Sequence, residues 1–443
     1  MRRFYFCFCL ILIVGFLFRA LNAERIYIVV DKAKLKKSFM AMPPLSFTGA
    51  ERQTADDGEQ LRKIVQDDLD FSGLFSFIAP TDMTPFESGG YSLEKINFKE
   101  WNALGAEFLI QGGYKLSDRR LIFEVKLYDV QSARLIVGKT YKALRTDLRL
   151  VSHKFSDAVI KALTGKKGIF QTKILFVSDK TGFKELYKMD YDGQNIEKLT
   201  DYESIVLSPA WAPDGEKVSF SSYETHKNHI QNVDLSVLDL STKKRQIISR
   251  RQGLNSGSSW SPDGEDIAVT MSFEGNPEIY LIGPDGTNPR RLTHHPAIDV
   301  ESAWSPDGQK IMYSSGKAPF AHLYMMKRDG SDQQRFTFAG RYNAVPCWSP
   351  DGDTVVFAGQ KGGTFDLYLL DVSKSGLRRL TKSGHLKHNE HPSFSPDGRH
   401  IVFSSKRSGN YELYVIYADG SEERPLLQNF GNITFPKWSP YLN

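Results

Sequence analysis

Three histidine side chains and one glutamate lie within seven residues of one another, a spacing at which they could share a divalent metal ion. They are His385, His388, Glu390 and His391. Imidazole nitrogens and carboxylate oxygens are common zinc ligands. This spacing supports metal binding only weakly, however, because loop histidines more often hydrogen-bond to a partner or to water. We therefore predict no metal and no cofactor, and leave adventitious metal binding as the alternative.

Nucleophilic catalysis has little support in the sequence. A Gly-x-Ser-x-Gly turn, which exposes the nucleophile of an α/β-hydrolase, does not occur in the chain. Propellers with a similar repeated phrase precede hydrolase domains in prolyl-peptidase-like proteins, so an enzyme remains the alternative to be weighed. We assign no catalytic residues and predict that the protein is not an enzyme.

A repeated five-residue phrase organises the second half of the chain. It reads Trp or Phe, Ser or Ala, Pro, Asp, Gly, and its copies begin at Trp211, Trp260, Trp304, Trp348 and Phe394, with a truncated copy at Trp438. The middle copies lie 44 residues apart, which is typical of a four-stranded propeller blade. Its last four residues suit a type I turn, with proline at the second position and glycine at the fourth. We expect the indoles to pack between blades.

The repeat predicts a closed ring of six blades. Five short β-branched or aromatic runs follow the phrases, and residues 174–177 form a sixth run with no phrase before it. We expect residues 433–438 to pair beside that first strand, which would leave no open sheet edge. The predicted fold class is an α/β N-terminal domain followed by an all-β six-bladed β-propeller closed by the C-terminal strand.

The N-terminus has the pattern of a secretory signal peptide. Arg2 and Arg3 precede fifteen mostly apolar residues, 4–18, and a short stretch ends at Ala23. An uncleaved anchor is the alternative, although the run is shorter than the roughly 20 residues that span a bilayer. We predict a signal peptide at 1–23, an α/β domain at 24–165 and the propeller at 166–443.

Charge and cysteine content limit the function classes of the mature chain. Cleavage after Ala23 removes three of the 57 Lys and Arg residues and none of the 52 Asp and Glu, leaving 54 against 52, a net charge of +2. This balance gives no indication of nucleic-acid binding. Cys7 and Cys9 leave with the signal, so Cys347 would be the single cysteine, and we interpret it as a small buried hydrophobic residue. An exported chain without disulfides fits a bacterial periplasm.

Residues 24–165 mix helix and strand patterns. Leu61, Ile64, Val65 and Leu69 share one helical face, and residues 121–130 alternate like a half-buried strand. Further strands are predicted at 26–30, 108–112 and 135–141. A last helix is predicted at 147–163, ending before Gly165.

Several stretches in a fixed order carry a resemblance to a known family. They are DDLDFSGLF at 67–75, LGAEFLIQG at 104–112, SHKFSDAVIKALTGKKGIF at 152–170, the repeated phrases, and FPKWSPYL at 435–442. Together they resemble the TolB family, the periplasmic propeller proteins of the Tol-Pal envelope system of Gram-negative bacteria. The resemblance implies a monomeric, non-enzymatic periplasmic adaptor that supports outer-membrane integrity and cell division.

The resemblance also implies two partner sites. The channel mouth of the propeller would bind the peptidoglycan-associated lipoprotein Pal, and the segment after the signal would bind TolA, with other outer-membrane lipoproteins as further partners. A propeller that binds a carbohydrate or peptidoglycan is the alternative.

Residues that match those two regions can be named. We expect the positions five residues before each repeat aromatic to lie in loops that lead into the innermost strands and surround the channel; they are Val206, Asn255, Asp299, Asn343, Asn389 and Ile433. The predicted Pal-binding residues are Asn255, Ser256, Gly257, Asp299, Glu301, Asn343, Ala344, His388, Asn389, Glu390 and His391. The predicted TolA-binding residues are Glu24, Arg25, Ile26, Tyr27, Ile28, Val29 and Val30.

Overall fold

The computed structural model describes residues 28, 37–49, 56–79, 93–117, 119–225, 231–374, 376–382, 384 and 387–442. The chain divides into two compact units, residues 1–168 and 169–443. The predicted signal peptide lies outside the described residues, as do His385 and all of the predicted TolA-binding segment except Ile28.

The first unit contains one six-stranded sheet with helices. Its strands are β1 (Ser38–Ala41), β2 (Ser46–Phe47), β3 (Phe75–Phe77), β4 (Phe108–Ser117), β5 (Arg120–Asp129) and β6 (Arg134–Leu144). The sheet order is β3-β1-β4-β5-β6, with β2 also paired to β4. Strand β1 runs parallel to its neighbours, whereas β4, β5 and β6 form an antiparallel meander. The predicted strands at 108–112, 121–130 and 135–141 fall in that meander.

In the described part of this unit, three α-helices accompany the sheet: α1 (Asp56–Phe71), α2 (Phe98–Ala103) and α3 (Leu148–Thr164). Single 3-10 turns cover Leu93–Lys95 and Arg145–Asp147. Helix α1 buries Leu61, Val65 and Leu69 completely, as its apolar periodicity predicts. Helix α3 ends where expected, because Gly165 has the left-handed conformation (φ 72°) and its amide donates to the carbonyl of Lys161.

Six four-stranded antiparallel sheets form the second unit, one for each predicted blade. Blade 1 combines the last strand, β30 (Ile433–Trp438), with β7 (Lys173–Ser178), β8 (Glu185–Asp190) and β9 (Glu197–Lys198). Blades 2 and 3 are β10 (Val206–Trp211), β11 (Lys217–Thr225), β12 (Gln231–Asp239), β13 (Arg245–Ser249), β14 (Asn255–Trp260), β15 (Ile267–Met271), β16 (Glu278–Ile282) and β17 (Arg290–Arg291).

Blades 4 to 6 repeat the same order of strands. They are β18 (Asp299–Trp304), β19 (Lys310–Ser315), β20 (His322–Lys327), β21 (Gln334–Arg335), β22 (Tyr342–Trp348), β23 (Thr354–Lys361), β24 (Thr364–Asp371), β25 (Leu377–Arg379), β26 (Asn389–Phe394), β27 (His400–Ser405), β28 (Glu412–Tyr417) and β29 (Arg424–Leu427). The first strands of the six blades each contact the next and form a closed ring around the central channel. The predicted six-bladed fold is confirmed.

The C-terminal strand closes this ring. Strand β30 pairs antiparallel with β7, with Ile433 opposite Ser178 and Trp438 opposite Ile174. The Trp438 indole also donates to the hydroxyl of Thr172 at 2.9 Å. The first blade is therefore built from both ends of the unit, as the strand count predicts.

The repeated phrase forms the turn between the first and second strands of its blade. In the copy that begins at Trp260, the amide of Gly264 donates to the carbonyl of Ser261 at 2.9 Å, and Gly264 has φ 74°. The Asp263 carboxylate accepts from the Ser261 hydroxyl and from the Glu265 amide. These are the bonds of the predicted type I turn.

The tryptophans of the phrase join neighbouring blades. The indole of Trp304 donates to the carbonyl of Ser259 in the preceding blade at 3.1 Å. Its ring packs in a cluster with Ile279 and Leu281 of blade 3 and Ile311 of its own blade. Apolar clusters therefore occupy the spaces between blades, where the pattern places the indoles.

Candidate protein-binding site

The two ends of the propeller are built from different connections. In an antiparallel blade, the first strand starts at the end where the second stops and the third begins. We call that the mouth end, and we call the opposite end, which carries the repeated phrase, the turn end. The loops that join one blade to the next also lie at the mouth end.

The structure corrects the expected location of the six positions before the repeat aromatics. Val206, Asn255, Asp299, Asn389 and Ile433 are the first residues of innermost strands, and Asn343 is the second residue of its strand. They do not lie in loops. All six are buried, with side chains no more than 3 % exposed. The expectation was wrong because the ladder of each innermost strand extends further toward the mouth than its apolar pattern indicates.

The buried asparagines hydrogen-bond to residues of the mouth-end loops. The Asn343 side-chain amide donates to the carbonyl of Ala339 at 2.8 Å and to the hydroxyl of Thr337 at 3.1 Å. Asn255 donates to the carbonyl of Arg251 at 2.7 Å. The side-chain amides of these asparagines are therefore hydrogen-bonded within the fold, as buried polar groups generally are.

A carboxylate at the start of the third strand takes part in the same network, and the sequence reasoning missed it. In blade 3, Glu278 accepts from the Thr293 hydroxyl, and Thr293 accepts from the Ile279 amide at 2.9 Å. In blade 5, Asp366 accepts from Thr381 and from Asn389, which belongs to the next blade. The recurring Leu-Thr ending could have identified these threonines as network members.

Asp299 differs from the asparagines at equivalent positions. Its carboxylate is fully buried, and neither oxygen accepts a hydrogen bond of normal geometry from the described residues. The ammonium of Lys317 lies 3.7 Å from Oδ2. Burial raises the pKa of this carboxyl group, which disfavours its ionised form.

Each innermost strand contains a bulge with one residue in the left-handed conformation. The six residues share one position around the channel; they are Ser208, Gly257, Glu301, Val345, His391 and Phe435. A bulge locally bends its strand and redirects a side chain. These six residues differ in charge and size. The chemical character of the channel lining therefore changes from blade to blade.

Charged groups from several blades converge near the bulges. Glu301 accepts from the Ser314 hydroxyl at 3.1 Å and from the Val345 amide of the next blade at 2.9 Å. Burial raises the pKa of Glu301, and Lys437 of blade 1 opposes that rise. Burial also lowers the pKa of His391 to about 3. His391 is therefore neutral at pH 7, with its ring 4.1 Å from that of Phe435.

The predicted residues are thus brought to one end but differ in accessibility. Ser256, Gly257, Glu301, His388, Glu390 and His391 are partly exposed, whereas Ala344 is buried with the asparagines. The hydroxyl of Tyr411 donates to Glu390. No group of three metal-ligating side chains suited to a metal occurs in the described part of the chain.

Exposed large apolar side chains concentrate at the mouth end, a feature that the sequence did not reveal. Of the nine in the described propeller, eight lie there: Phe183, Ile205, Tyr223, Phe273, Ile298, Phe320, Phe338 and Tyr342. Only Leu377 lies elsewhere. Phe338 is the most accessible, at 74 % exposure. A surface with several accessible aromatic rings is typical of a protein-binding site.

The two ends also differ in charge. Described loop residues of the mouth end include ten Lys or Arg and four Asp or Glu, a net charge of +6. They occupy 179–184, 199–205, 250–254, 272–277, 292–298, 316–321, 336–341, 362–363, 380–388, 406–411 and 428–432.

Described turn-end residues include sixteen Asp or Glu and five Lys or Arg, a net charge of −11. They occupy 191–196, 212–216, 240–244, 261–266, 283–289, 305–309, 328–333, 349–353, 372–376, 395–399 and 418–423.

The described part of the second predicted site is small. Ile28 lies in a bend, and its amide donates to the carbonyl of Leu163, near the end of α3, at 2.9 Å. The other six predicted residues of this segment lie outside the described residues. No helix in the described residues is long and apolar enough to cross a membrane.

The fold is that of a two-unit protein with a six-bladed propeller, one end of which carries exposed apolar side chains and a net positive charge. The sequence matches the TolB beta propeller domain over residues 160–442 and the TolB amino-terminal domain over residues 26–136. The chain belongs to the TolB family.

Individual relatives agree with this assignment. The Tol-Pal system protein TolB of Desulfosudis oleivorans is 37 % identical over 282 residues, 62 % of this chain and 61 % of that protein. The protein TolB homolog of Chlorobium luteolum is 34 % identical over 241 residues, 54 % of this chain and 53 % of the relative. The aligned part thus spans less than two thirds of either relative. The crystal structure of TolB from Acinetobacter baumannii has a TM-score of 0.78 at 27 % identity, covering 94 % of this chain and 100 % of that one.

Proposed function

We propose that this protein is a non-catalytic periplasmic adaptor of the Tol-Pal system that binds the lipoprotein Pal at the mouth end of its propeller. The observation that carries the proposal is the concentration of exposed apolar side chains at that end. Membership of the TolB family supports the assignment to the Tol-Pal system. The role would be to support outer-membrane integrity and cell division.

Burial divides the predicted Pal-binding residues into two groups. Partly exposed Ser256, Gly257, Glu301, Glu390 and His391 would contact the partner directly, together with His388. Buried Asn255, Asp299, Asn343, Ala344 and Asn389 would shape the loops without touching it. The buried amides of Asn255, Asn343 and Asn389 are already hydrogen-bonded within the fold and so have little left to offer a partner.

The segment Glu24–Val30 remains our proposal for the TolA contact. One backbone hydrogen bond, from Ile28 to Leu163, connects its described residue to α3. A segment that pairs as a strand can add to the exposed edge of another protein's sheet through its backbone hydrogen bonds. TolA binding would then compete with this internal contact.

Binding of Pal can be tested with two matched variants. Calorimetry would compare residues 24–443 carrying Phe338→Ser, at the mouth end, with the same chain carrying Leu377→Ser, at the turn end. Both replace an exposed apolar side chain, 74 % and 44 % accessible, with a hydroxyl. The probe is the soluble domain of Pal from the same organism.

We expect one-to-one binding that Phe338→Ser weakens by about tenfold or more, as for a central aromatic contact residue, and that Leu377→Ser leaves unchanged. Equal weakening by both variants would contradict a mouth-end site. Failure of the unmodified protein to bind Pal, together with saturable binding of soluble peptidoglycan fragments, would overturn the adaptor proposal in favour of a glycan-binding propeller.

A further inference from the structure

The exposed charges of the mouth end are unevenly distributed around the ring. Segments 336–341, 361–363, 380–388 and 406–411, which belong to or border blades 5 and 6, contain no Asp or Glu in the sequence. They carry five exposed basic side chains, which we call the basic arc: Arg341, Lys361, Lys382, Lys387 and Lys406. The loops of this sector are therefore positively charged, and the neighbouring carboxylate, Glu390 on the first strand of blade 6, accepts a hydrogen bond from Tyr411.

Exposed carboxylates occupy the other part of the rim. Asp201 and Glu203 lie between blades 1 and 2, and Glu274 lies in blade 3. Two of them are paired within the protein: Glu274 with Arg291 at 2.7 Å and Asp201 with Lys198 at 2.5 Å. The mouth end thus has a positive sector and a sector of mixed charge.

The bases of the arc have no ion pair with a carboxylate in the described structure, where two of them lie over aromatic rings instead. The guanidinium of Arg341 lies 5.6 Å from the ring centroid of Phe320, and the ammonium of Lys406 lies 5.7 Å from that of Tyr411. Such contacts orient a cation without neutralising it. The positive potential of the arc is therefore available to a ligand outside the protein.

Apolar side chains adjoin the arc. Phe338 lies in the same loop as Arg341, and Tyr342 is the next residue along the chain. Tyr342 packs edge-on against Phe365, 5.6 Å between ring centroids, and the His388 ring lies 5.8 Å from Phe365. An aromatic cluster with a rim of unpaired cations suits a partner that joins an apolar contact to surrounding acidic groups.

We propose that the basic arc receives an acidic surface of the protein partner and so sets its orientation on the mouth end. This proposal rests on the proposed docking of a protein at that end. An anionic membrane is a poorer fit, because a flat bilayer would meet Glu203 and Glu274 on the same rim. A protein with an ordinary contact area of about 800 Å² can cover the arc without covering the mixed sector.

Charge complementarity of this kind acts chiefly on the rate of association. The test compares Lys382→Glu/Lys387→Glu, in the arc, with Lys244→Glu/Lys374→Glu, at the turn end. All four lysines are exposed, and both double variants change the net charge equally. Association and dissociation rates with the soluble Pal domain would be measured at about 0.01 M and about 1 M salt, where the screening length is about 30 Å and 3 Å.

We expect the arc variant to associate about tenfold more slowly than the unmodified protein at low salt. The difference should disappear at high salt, and the dissociation rate should change little. The turn-end variant should associate at the normal rate. Equal slowing by both variants would overturn the arc proposal, since net charge alone would then explain the effect.

The arc proposal and the docking proposal fail in different ways. If the unmodified protein binds Pal at rates that do not depend on salt, docking stands and the acidic partner surface is wrong. If the arc variant binds Pal normally but no longer sediments with phosphatidylglycerol vesicles, the arc binds anionic lipid and the proposal is overturned. If the unmodified protein binds no Pal at all, docking and arc fail together.

Discussion

The turn end and the mouth end of the propeller are formed by the same six blades, but the turn end repeats the same residues and the mouth end does not. At the turn end the same phrase recurs, and its aspartates accept hydrogen bonds within their own turns. Hydrogen bonds from Ser261, Arg328 and Glu265 lower the pKa of Asp263 to about 2, although burial opposes this shift. At the mouth end, equivalent positions hold serine, glycine, glutamate, valine, histidine and phenylalanine. The residues that repeat form the turns of the ring, whereas the residues that differ from blade to blade lie at the end where we propose that a partner binds.

Energetics follow the same division. The aspartates of the phrase, such as Asp263 and Asp307, accept hydrogen bonds within their own turns, so their negative charge stabilises those turns. Mouth-end bases such as Lys382 and Lys387 have no carboxylate partner among the described residues, and eight large apolar side chains are exposed at the same end of the propeller. Substitutions in the phrase should therefore lower the free energy of unfolding, whereas substitutions on the mouth-end surface should weaken partner binding.

The largest effect is expected from opening the ring. Truncation before Ile433 removes β30, which supplies the innermost strand of blade 1, and exposes the edge of β7. We expect the melting temperature to fall by roughly 10 °C or more, or the cooperative transition to be lost, in thermal unfolding followed by circular dichroism. Removal of Asn443 alone is the control. A truncated chain that melts like the control would contradict ring closure by β30.

A smaller but still large effect is expected from a single indole. Trp304→Ala removes a buried ring between blades 3 and 4 together with its hydrogen bond to Ser259. We expect a loss of about 3–5 kcal/mol in the free energy of unfolding by urea. Phe338→Ala removes an aromatic ring that is 74 % exposed, and should change stability by less than about 0.5 kcal/mol. Similar losses in the two variants would remove the distinction between the two ends.

The smallest effect concerns Asp299, whose pKa burial raises above its usual range. Because the folded protein then holds the proton more tightly than the unfolded chain, stability falls as pH rises from the unfolded pKa, about 3.9, through the raised folded value. Asp299→Asn should raise the melting temperature at pH 7 by about 2–4 °C, with no gain near pH 3.

The reverse change at the equivalent position of the next blade sharpens this test. Asn343→Asp removes the donor to Ala339 and Thr337 and introduces a buried carboxylate. We expect it to lower the melting temperature at pH 7, and less so near pH 3. A stabilising Asn343→Asp, or an Asp299→Asn whose gain does not depend on pH, would contradict the electrostatic account of these positions.

Much of the fold could be predicted from the sequence because its physical causes are local. The period of the phrase specifies blade length, Pro and Gly specify the turn, and the unpaired strand at 174–177 predicts closure by β30. The candidate site was harder to predict. Which residue of an innermost strand is buried depends on the bulge beside Ser256 or Glu301, and a bulge shifts the register without leaving a hydrophobic pattern.

Other features of the site depend on contacts distant in sequence. The network of Asp366 with Thr381 and Asn389 joins residues of two blades, and no single segment encodes it. Exposed aromatic residues such as Phe338 look like core residues in a linear sequence, since only the folded ring shows which apolar side chains lack a neighbour. Positions equivalent around a ring thus have to be compared in space.

Hydrogen–deuterium exchange of residues 24–443, with and without the soluble Pal domain, tests the central claim most directly. A partner at the mouth end should slow exchange in segments 336–341 and 380–388, and leave turn segments such as 261–266 and 305–309 unchanged. Protection confined to the turn segments, or to the first unit, would contradict the division of labour between the two ends.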